Sequence, residues 1–383
     1  VSGEVLEDSV QEATRQVLTD RGLRPAMQPK IELVNYSDGA DLEYKIDLEL
    51  LPEIVMPDFA GIELTRQKAT PGDAEIDAFL ATMTRSLATT EDIAETRPAA
   101  RGEVLVCDFE GRLKNEDGSL GEPFTGGTAK DAPIEVAGEG FIPGFTEQLE
   151  GMAPGETREV NVTFPEGYGS AALAGKAAVF SVTAKALKRR VPPVMDDAFA
   201  KRVGMDDMAA LRARVGENLQ REYDGLSRQR VKRALLDALA ERATFNVPES
   251  MVEGEFAQIW QRVEEDMKAG RLDADDQGKD EATLKAEYRA IAERRIRLGL
   301  LLSEIGRTNN IQVSNEELSA AMRAEAGRYP GQEKQVLEFF RKNPGAVDNL
   351  RAPIFEEKVV DFVLELAKVN EVPVAVGELT GGV

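Results

Sequence analysis

The sequence predicts a multidomain α+β protein, because three regions of the chain carry different patterns of apolar residues. The first region combines a helical pattern with two alternating strands, the second is rich in glycine and short apolar runs, and the third is helical almost to its end. The chain has 383 residues, 42% of them hydrophobic, which is enough for two or three separate cores. We therefore expect an α+β domain, a domain built on an antiparallel sheet and an all-α domain, in that order.

The first region, residues 1–66, begins with a helical pattern. Apolar residues recur there at intervals of three or four, which places them on one helix face: Leu6, Val10, Ala13 and Val17. Gly22 suits the C-terminal end of this helix. The runs KIELVNY and LEYKIDLEL then flank SDGAD, and every second residue of the second run is apolar. This alternation predicts a β-hairpin with one apolar face. Residues 67–98 are predicted to be a linker that contains a helix at 72–88.

The second region, residues 99–187, contains four predicted strands: VLVCDFEG, PIEVAG, TREVNVTF and AVFSVTAKAL. In the third of these, Val160, Val162 and Phe164 share one face, which is typical of an antiparallel sheet packed on one side. We expect one short helix between the second and third strands. Pro143 fits the first turn of that helix, and Gly151 fits its C-terminal end.

The third region, residues 188–383, is predicted to be all-α. Three apolar stripes run along its helices: Met208, Leu211, Val215, Leu219, Tyr223 and Leu226; Leu284, Tyr288, Ile291, Leu298, Leu302 and Ile305; and Phe355, Val359, Phe362, Leu366 and Val369. Ser314 followed by Glu317 forms a capping box that begins another helix. Because the stripes are narrow and the helices long, we expect extended helical arms.

The composition excludes several classes of function. The chain has no histidine, so it lacks the usual proton shuttle at neutral pH, the histidine-activated nucleophiles and most zinc sites. Its single cysteine, Cys107, cannot form an internal disulfide, which fits a reducing, cytoplasmic compartment. Cys107 lies in an apolar run, which favours a packed thiol over a reactive one. The net charge of -22 opposes binding to nucleic acid and to anionic membranes. We expect no cofactor, no metal and no membrane partner.

The stretch GEGFIPGFTEQLEGM, residues 138–152, has two glycines in the spacing of a nucleotide-binding turn. The fingerprint requires GxGxxG, but here the third glycine is Gly144, one place late and directly after a proline. The stretch also carries four apolar residues, Phe141, Ile142, Pro143 and Phe145. This composition indicates the wall of a hydrophobic pocket instead of a phosphate site.

Five segments occur in the order found in FKBP-type peptidyl-prolyl isomerase domains: DFEG (108–111), PF (123–124), GFIPGFTEQLEGM (140–152), VTFPEGYG (162–169) and AVFSV (178–182). Their form resembles most closely the isomerase domain of the trigger factor family of bacterial ribosome-associated chaperones. The resemblance implies an α+β N-terminal domain, an FKBP-like antiparallel sheet with one short helix, and an all-α C-terminal chaperone domain with helical arms.

The resemblance also implies a set of pocket residues: Phe109, Phe124, Phe141, Ile142, Phe145, Tyr168 and Phe180. In this family the backbone N–H at the position of Ile142 holds the substrate carbonyl beside the proline. Thr125 stands where many such domains have an acidic residue, which puts a carboxylate contribution in doubt. Each aromatic taken singly would fit an ordinary hydrophobic core, whereas the ordered set indicates a pocket.

The chemistry of an apolar pocket agrees with isomerisation. Rotation about an X-Pro bond has a barrier of about 20 kcal/mol, because amide resonance must be broken. The twisted amide is less polar than the planar one, so an apolar cleft favours it over the ground state that water solvates. No proton transfer is needed, so the absence of histidine does not weaken the interpretation.

We therefore expect a folding factor that holds nascent or unfolded polypeptides in a helical cradle and isomerises X-Pro bonds. The alternative is a peptide-binding chaperone whose FKBP-like domain is only a binding module. A periplasmic or secreted chaperone is a third possibility, although the lone cysteine argues against it. A homodimer is a further assembly that the resemblance allows.

Trigger factors dock on the ribosome through a loop with a GFRxGKxP-like signature, and no such string occurs in the sequence. We therefore expect residues 1–66 to be a remnant of the N-terminal domain that lacks the docking segment. On this interpretation the chain binds ribosomes weakly or not at all, whereas its full-length parent binds well.

Overall fold

The computed structural model describes residues 2–35 and 41–381, without the side chains of residues 2–6. The chain divides into two compact units, one formed by Val1–Ala69 with Tyr223–Val383 and the other by Thr70–Glu222. The first unit therefore contains both ends of the chain. The domain boundaries expected at residues 66, 98 and 187 stay a prediction.

The elements follow one another in three groups. The first comprises α1 (Ser2–Asp20), β1 (Lys30–Asn35), β2 (Glu43–Asp47), β3 (Glu63–Lys68), α2 (Asp73–Ser86) and β4 (Thr89–Asp92). The second comprises β5 (Val104–Lys114), β6 (Leu120–Glu135), β7 (Thr157–Thr163) and β8 (Ala177–Val191). The third comprises α3 (Asp197–Arg202), α4 (Met208–Arg242), α5 (Glu249–Lys268), α6 (Glu281–Thr308), α7 (Asn315–Ala326), α8 (Glu333–Lys342), α9 (Pro344–Leu366), β9 (Lys368–Pro373) and α10 (Val376–Thr380).

The N-terminal hairpin forms as predicted. Strands β1 and β2 pair antiparallel, with Ile31 opposite Ile46 and Leu33 opposite Tyr44, so the apolar residues share one face. The predicted SDGAD turn lies outside the described residues except for its final aspartate. The apolar face is only partly covered, because Leu33 is 51% exposed.

Helix α1 buries a slightly different face from the predicted one. Val10 and Thr14 are buried, whereas Val17 is 40% exposed. Thr14 is buried because its hydroxyl donates to the carbonyl of Val10, one turn earlier, which satisfies its polar group within the helix. The predicted role of Leu6 lies outside the described side chains.

The first unit contains a pair of strands that lie far apart in the sequence, and the sequence pattern did not predict this pairing. Strand β3 pairs in parallel with β9, in register from Glu63 opposite Lys368 to Lys68 opposite Pro373. Beneath this pair, apolar residues of three helices form the core: Val231, Leu235 and Leu239 of α4, Leu301 and Ile305 of α6, and Val359 and Val363 of α9. The pairing thus joins chain segments about 300 residues apart.

The helical part of the first unit agrees in outline with the predicted stripes. Helices α5 and α6 form an antiparallel hairpin, in which Arg289 pairs with Glu253 and Lys285 lies over the ring of Trp260. The capping box at the start of α7 is present, because Ser314 and Glu317 exchange hydrogen bonds.

Some residues of the predicted stripes do not belong to the core. Leu302, Ile305 and Val359 are buried, but Ile291 and Leu366 are 42% and 47% exposed. Periodicity alone therefore identified the helices but overestimated the width of their buried faces. It also extended the third stripe to Val369, which lies in strand β9 and not in a helix.

The second unit contains a sheet in the order β4-β8-β5-β6, with β7 also paired to β8. Its core lies on one face and includes Leu105, Ile134, Leu149 and Val182. A smaller cluster joins Leu80 of α2 to residues of α3 and the start of α4, so the predicted linker helix is packed within this unit: Phe199, Ala200, Leu211 and Val215.

The predicted short helix between the second and third strands of this sheet is a single 3-10 turn, Glu147–Leu149. Pro143 lies before that turn and not in its first residues. Gly151 has φ +77°, the left-handed conformation expected where a helical turn ends. The chain therefore reverses direction here within fewer helical residues than predicted.

Candidate functional site

Two neighbouring strands bring the first aromatic residues together. Strands β5 and β8 pair antiparallel, with Phe109 opposite Val182 and Gly111 opposite Phe180. Because the side chains of a strand alternate, Phe109 and Gly111 lie on the same face, as do Phe180 and Val182. The rings of Phe109 and Phe180 contact edge to face at 6.0 Å between centroids.

The loop between β6 and β7 supplies three more of the predicted residues. It turns sharply because Gly140 and Gly144 adopt φ +96° and +83°, which side-chain-bearing residues rarely do. The Thr146 hydroxyl, which is buried, donates to the carbonyl of Gly138 at 2.7 Å, and Phe145 N–H donates to the Ile142 carbonyl at 3.0 Å. These bonds hold the loop in one conformation, which fixes the positions of Phe141, Ile142 and Phe145 relative to one another.

All seven residues predicted for the site line one cleft of about 370 Å³. Five further residues also line it. Pro143 belongs to the apolar stretch that was predicted to form a pocket wall, whereas four were not predicted: Gly126, Gly140, Phe164 and Pro165. Phe164 and Pro165 belong to the VTFPEGYG segment that carried the family resemblance, so the motif itself held the signal for them. The structure thus places the whole predicted set, taken from five separate chain segments, around one apolar space.

The rings in the cleft form a continuous cluster. Phe145 packs against Phe180 at 5.1 Å with their planes at 89°, and against Phe141 at 5.2 Å with their planes at 12°. Phe124 contacts Phe180 at 5.7 Å and Phe164 at 5.8 Å, both edge to face. Edge-to-face and offset packing are the favoured aromatic geometries, so these ring contacts stabilise the shape of the cleft.

Exposure separates the floor of the cleft from its rim. Phe145 and Phe180 are 1% and 4% exposed, so they form the floor. Phe141 and Tyr168 are each 42% exposed, so they form a rim that a peptide can reach from solvent. A binding site of this type offers a dry interior and an amphipathic edge.

Two glycines make room for these rings. A Cβ atom on Gly111 would lie 2.5 Å from Cε1 of Phe180 and 2.8 Å from Cζ of Phe124. A Cβ atom on Gly127 would lie 2.5 Å from Cε2 of Phe124. Neither glycine was among the residues predicted for the site, because only the packing shows that the rings occupy this space.

A cluster of three charged residues, Asp108 on β5, Asp131 on β6 and Lys185 on β8, lies next to the cleft strands. The Asp108 carboxylate accepts the N–H of Asp131, which has φ +50°, at 2.8 Å, and Lys185 Nζ lies 3.0 Å from Asp108 and 2.8 Å from Asp131. The Asp131 N–H and then Lys185 hold the pKa of Asp108 below its usual range. These hydrogen bonds and ion pairs stabilise the register shift between β5 and β6 that occurs just before Phe109.

The single cysteine of the chain lies in the second unit, in strand β5. Cys107 is fully buried, and burial, with a smaller effect of the Asp108 carboxylate, raises the pKa of its thiol to about 11. The thiol is therefore protonated and packed, as its apolar run predicted. Among the residues that the structure describes, no cluster of metal-ligating side chains occurs. Within the same residues, no helix is long and apolar enough to cross a bilayer.

Three family models match consecutive parts of the chain. A model for bacterial trigger factor protein matches residues 1–83, the FKBP-type peptidyl-prolyl cis-trans isomerase model matches 95–185, and a model for the trigger factor C-terminus matches 207–365. The trigger factor of Granulibacter bethesdensis is 57% identical over 379 residues, which cover 99% of this chain and 84% of that protein. The chain belongs to the trigger factor family.

Other trigger factors agree with this assignment. That of Acidiphilium cryptum is 54% identical over 371 residues, covering 97% of this chain and 83% of the relative. A solved structure of a trigger factor chaperone superposes with a TM-score of 0.58 at 17% identity, covering 94% of this chain and 83% of the other. At this low identity the superposition supports the fold alone.

Membership of the trigger factor family establishes the class of activity. The chain is a folding factor that combines a chaperone for unfolded polypeptides with an FKBP-type peptidyl-prolyl cis-trans isomerase. The expectation that the N-terminal docking segment is lacking is not supported, because the N-terminal trigger factor model matches residues 1–83.

Proposed function

We propose that the aromatic cleft is the isomerase centre and that its seven predicted residues carry the reaction. One observation supports this proposal above all others: side chains from five separate segments converge on one apolar cleft with a buried floor and an exposed rim. An ordinary core would close over its aromatics, whereas here Phe141 and Tyr168 remain accessible. We assign the cleft to an isomerase module at residues 99–187.

The substrate proline ring packs on the floor formed by Phe145 and Phe180, while Phe141 and Tyr168 contact the flanking residues. Removing the X-Pro amide from water destabilises its planar, more polar ground state relative to the twisted transition state. The Ile142 N–H is the donor for the substrate carbonyl, because the hydrogen bonds among the described residues give it no other acceptor. One anchored carbonyl leaves the amide free to rotate.

A protease-coupled assay on a short Phe-Pro peptide tests this assignment. Phe141→Ala removes a rim ring that is 42% exposed, so the fold is retained, and we expect kcat/KM to fall about tenfold. Leu120→Ala is the matched control, because Leu120 is a similarly exposed apolar residue of β6 that does not line the cleft. Equal activity of Phe141→Ala, Leu120→Ala and the parent would refute the assignment.

The same assay separates the enzyme from a pure binding module. A binding module would retain a Phe-Pro peptide, detected by fluorescence anisotropy, yet give no turnover above the uncatalysed rate. We expect turnover that is lost in the double variant Phe145→Ala and Phe180→Ala. Because those rings are buried, near-ultraviolet circular dichroism must show that the variant is folded.

We propose that exposed apolar residues outside the isomerase module hold the unfolded chains. Such residues occur on the N-terminal hairpin, on helices α6 and α8, and in the turn between α7 and α8: Ile31, Leu33, Ile291, Leu337, Phe339 and Tyr329. Their scattered positions suit weak, exchanging contacts with varied segments. Replacing Leu337 and Phe339 by serine should reduce suppression of client aggregation, measured by light scattering, and unchanged suppression would exclude α8 as a contact surface.

We further propose that the protein acts in the cytoplasm on nascent chains and binds ribosomes weakly. The net charge of -22 opposes approach to the phosphates of ribosomal RNA, which supports this proposal. Co-sedimentation with 70S particles tests the proposal. Saturation at a concentration on the order of 1 μM or below would refute weak binding. Homodimer formation stays a prediction, which size-exclusion chromatography with light scattering would check.

A further inference from the structure

The side chain of Gln148 makes an unusual set of contacts beside the cleft. Its Nε2 donates to the carbonyl of Gly144 at 2.6 Å and to the carbonyl of Asn161 at 2.8 Å. Its Oε1 accepts the backbone N–H of Asn161 at 3.2 Å. One amide side chain therefore joins three backbone groups that belong to two different segments.

The Asn161 groups lie on the outer edge of β7. In the antiparallel pairing of β7 with β8, Asn161 lies opposite Val179, and its N–H and carbonyl point away from β8 toward Gln148. The Gln148 amide supplies a donor and an acceptor to this residue, as a neighbouring strand would. A second strand-to-loop contact lies nearby, where Arg158 Nη1 donates to the carbonyls of Gln148 and Glu150.

The remaining contact of Gln148, to the Gly144 carbonyl, lies in the loop between β6 and β7 that carries Ile142 and Phe145. Gly144 lies between Ile142, the proposed donor to the substrate, and Phe145, the floor of the cleft, and it has φ +83°. Since Phe145 N–H also donates to the Ile142 carbonyl, fixing the Gly144 carbonyl fixes the turn that carries both residues. The position of the loop relative to the sheet is therefore set at Gln148.

We propose that Gln148 is a positioning residue for isomerisation, which clamps the Ile142–Phe145 turn onto the free edge of β7. The inference rests on the proposed function of the cleft. Gln148 acts through the turn that it holds, because its own side chain does not line the cleft. Glutamine meets the requirement because its amide has both donors and an acceptor, and a methionine of similar length has no N–H donor and only a weak acceptor.

Gln148→Met is the decisive variant, assayed for turnover of the Phe-Pro peptide in the full chain. The loosened turn misplaces the Ile142 N–H and the Phe145 ring, so we expect kcat to fall about tenfold while KM changes less than twofold. Asn161→Ala is the matched control. It keeps the backbone N–H and carbonyl that Gln148 binds, so its kcat should stay within about twofold of the parent.

Amide hydrogen exchange distinguishes positioning from general stabilisation. In Gln148→Met the Phe145 amide should exchange at least about tenfold faster, whereas the amide of Val182 in the core strand β8 should keep its parental rate. Equal acceleration of both amides, or a kcat within twofold of the parent, would overturn the proposal. Absence of turnover in the parent itself would instead refute the function proposed for the cleft.

Discussion

Gly111 offers a stringent test of the packing that shapes the cleft. The substitution Gly111→Ala adds one methyl group at a buried position of β5, directly against the rings of Phe180 and Phe124. The added Cβ would lie 2.5 Å from one ring and 2.8 Å from the other, whereas an ordinary contact is 3.4–4 Å. Both rings must therefore move by about 1 Å, and both line the cleft.

The expected loss of stability in Gly111→Ala follows from the free-energy cost of overpacking a core. Extra methyl groups in a well-packed interior cost about 1–3 kcal/mol, and Phe180 has little freedom to adjust because it also contacts Phe109 and Phe145. We expect the isomerase module of Gly111→Ala to lose about 2 kcal/mol of its free energy of unfolding. The tilt of the floor ring should also lower kcat/KM about tenfold.

Amide hydrogen exchange of β5 and β8 measures the stability of this module within the full chain, and the peptide assay measures its activity. Gly121→Ala is the matched control, because its Cβ would meet only the Leu113 carbonyl at 3.6 Å, an ordinary contact in the same pair of strands. The fluorescence of the single tryptophan, Trp260, reports on the first unit and should be unchanged. Parental stability and parental kcat/KM in Gly111→Ala would refute the reasoning.

Two further predictions concern packing and pH. Gly306→Ala in α6 places a Cβ directly against the Phe355 ring, well inside van der Waals contact, so we expect the free energy of unfolding to fall by about 1–3 kcal/mol in urea unfolding followed by Trp260 fluorescence. Gly299→Ala in the same helix meets no atom within 4 Å and should not destabilise, and equal effects of the two variants would contradict this prediction. Because the folded pKa of Asp108 is depressed, its contribution to stability is fully present above its unfolded pKa of about 3.9 and is lost as the pH falls through the folded value. Asp108→Asn should therefore lower the exchange-derived stability of the sheet at pH 7 and flatten its decline in acid, and an unchanged acid profile would contradict this assignment.

Local patterns in the sequence were sufficient for several features of the fold and the site. Strict alternation identified the β1–β2 hairpin, and the Ser314–Glu317 spacing identified the start of α7, because hydrogen bonds between near neighbours determine both. The seven cleft residues came from the resemblance of five ordered motifs to FKBP-type domains, because each motif carries its pocket residue at a fixed place. The 3-10 turn Glu147–Leu149 was predicted as a short helix, because local spacing does not distinguish the two.

Other features depend on which distant segments meet, and local spacing does not encode that choice. The parallel pairing of β3 with β9 joins segments about 300 residues apart, and neither strand is distinctive alone. The burial of Val17, Ile291 and Leu366 was overestimated because a helical period specifies a face but not how much of it another element covers.

The amino-acid sequence was enough to predict a hairpin, long amphipathic helices and an ordered set of aromatic residues suited to an apolar pocket. The tertiary structure adds how those aromatic residues are packed around one cleft. It shows that Gly111 and Gly127 provide space for the rings, and that Gln148 joins the loop between β6 and β7 to the edge of β7 by hydrogen bonds. These roles arise from steric exclusion and hydrogen-bond geometry between segments that are separate in sequence, and both depend on distances that exist only once the chain is packed.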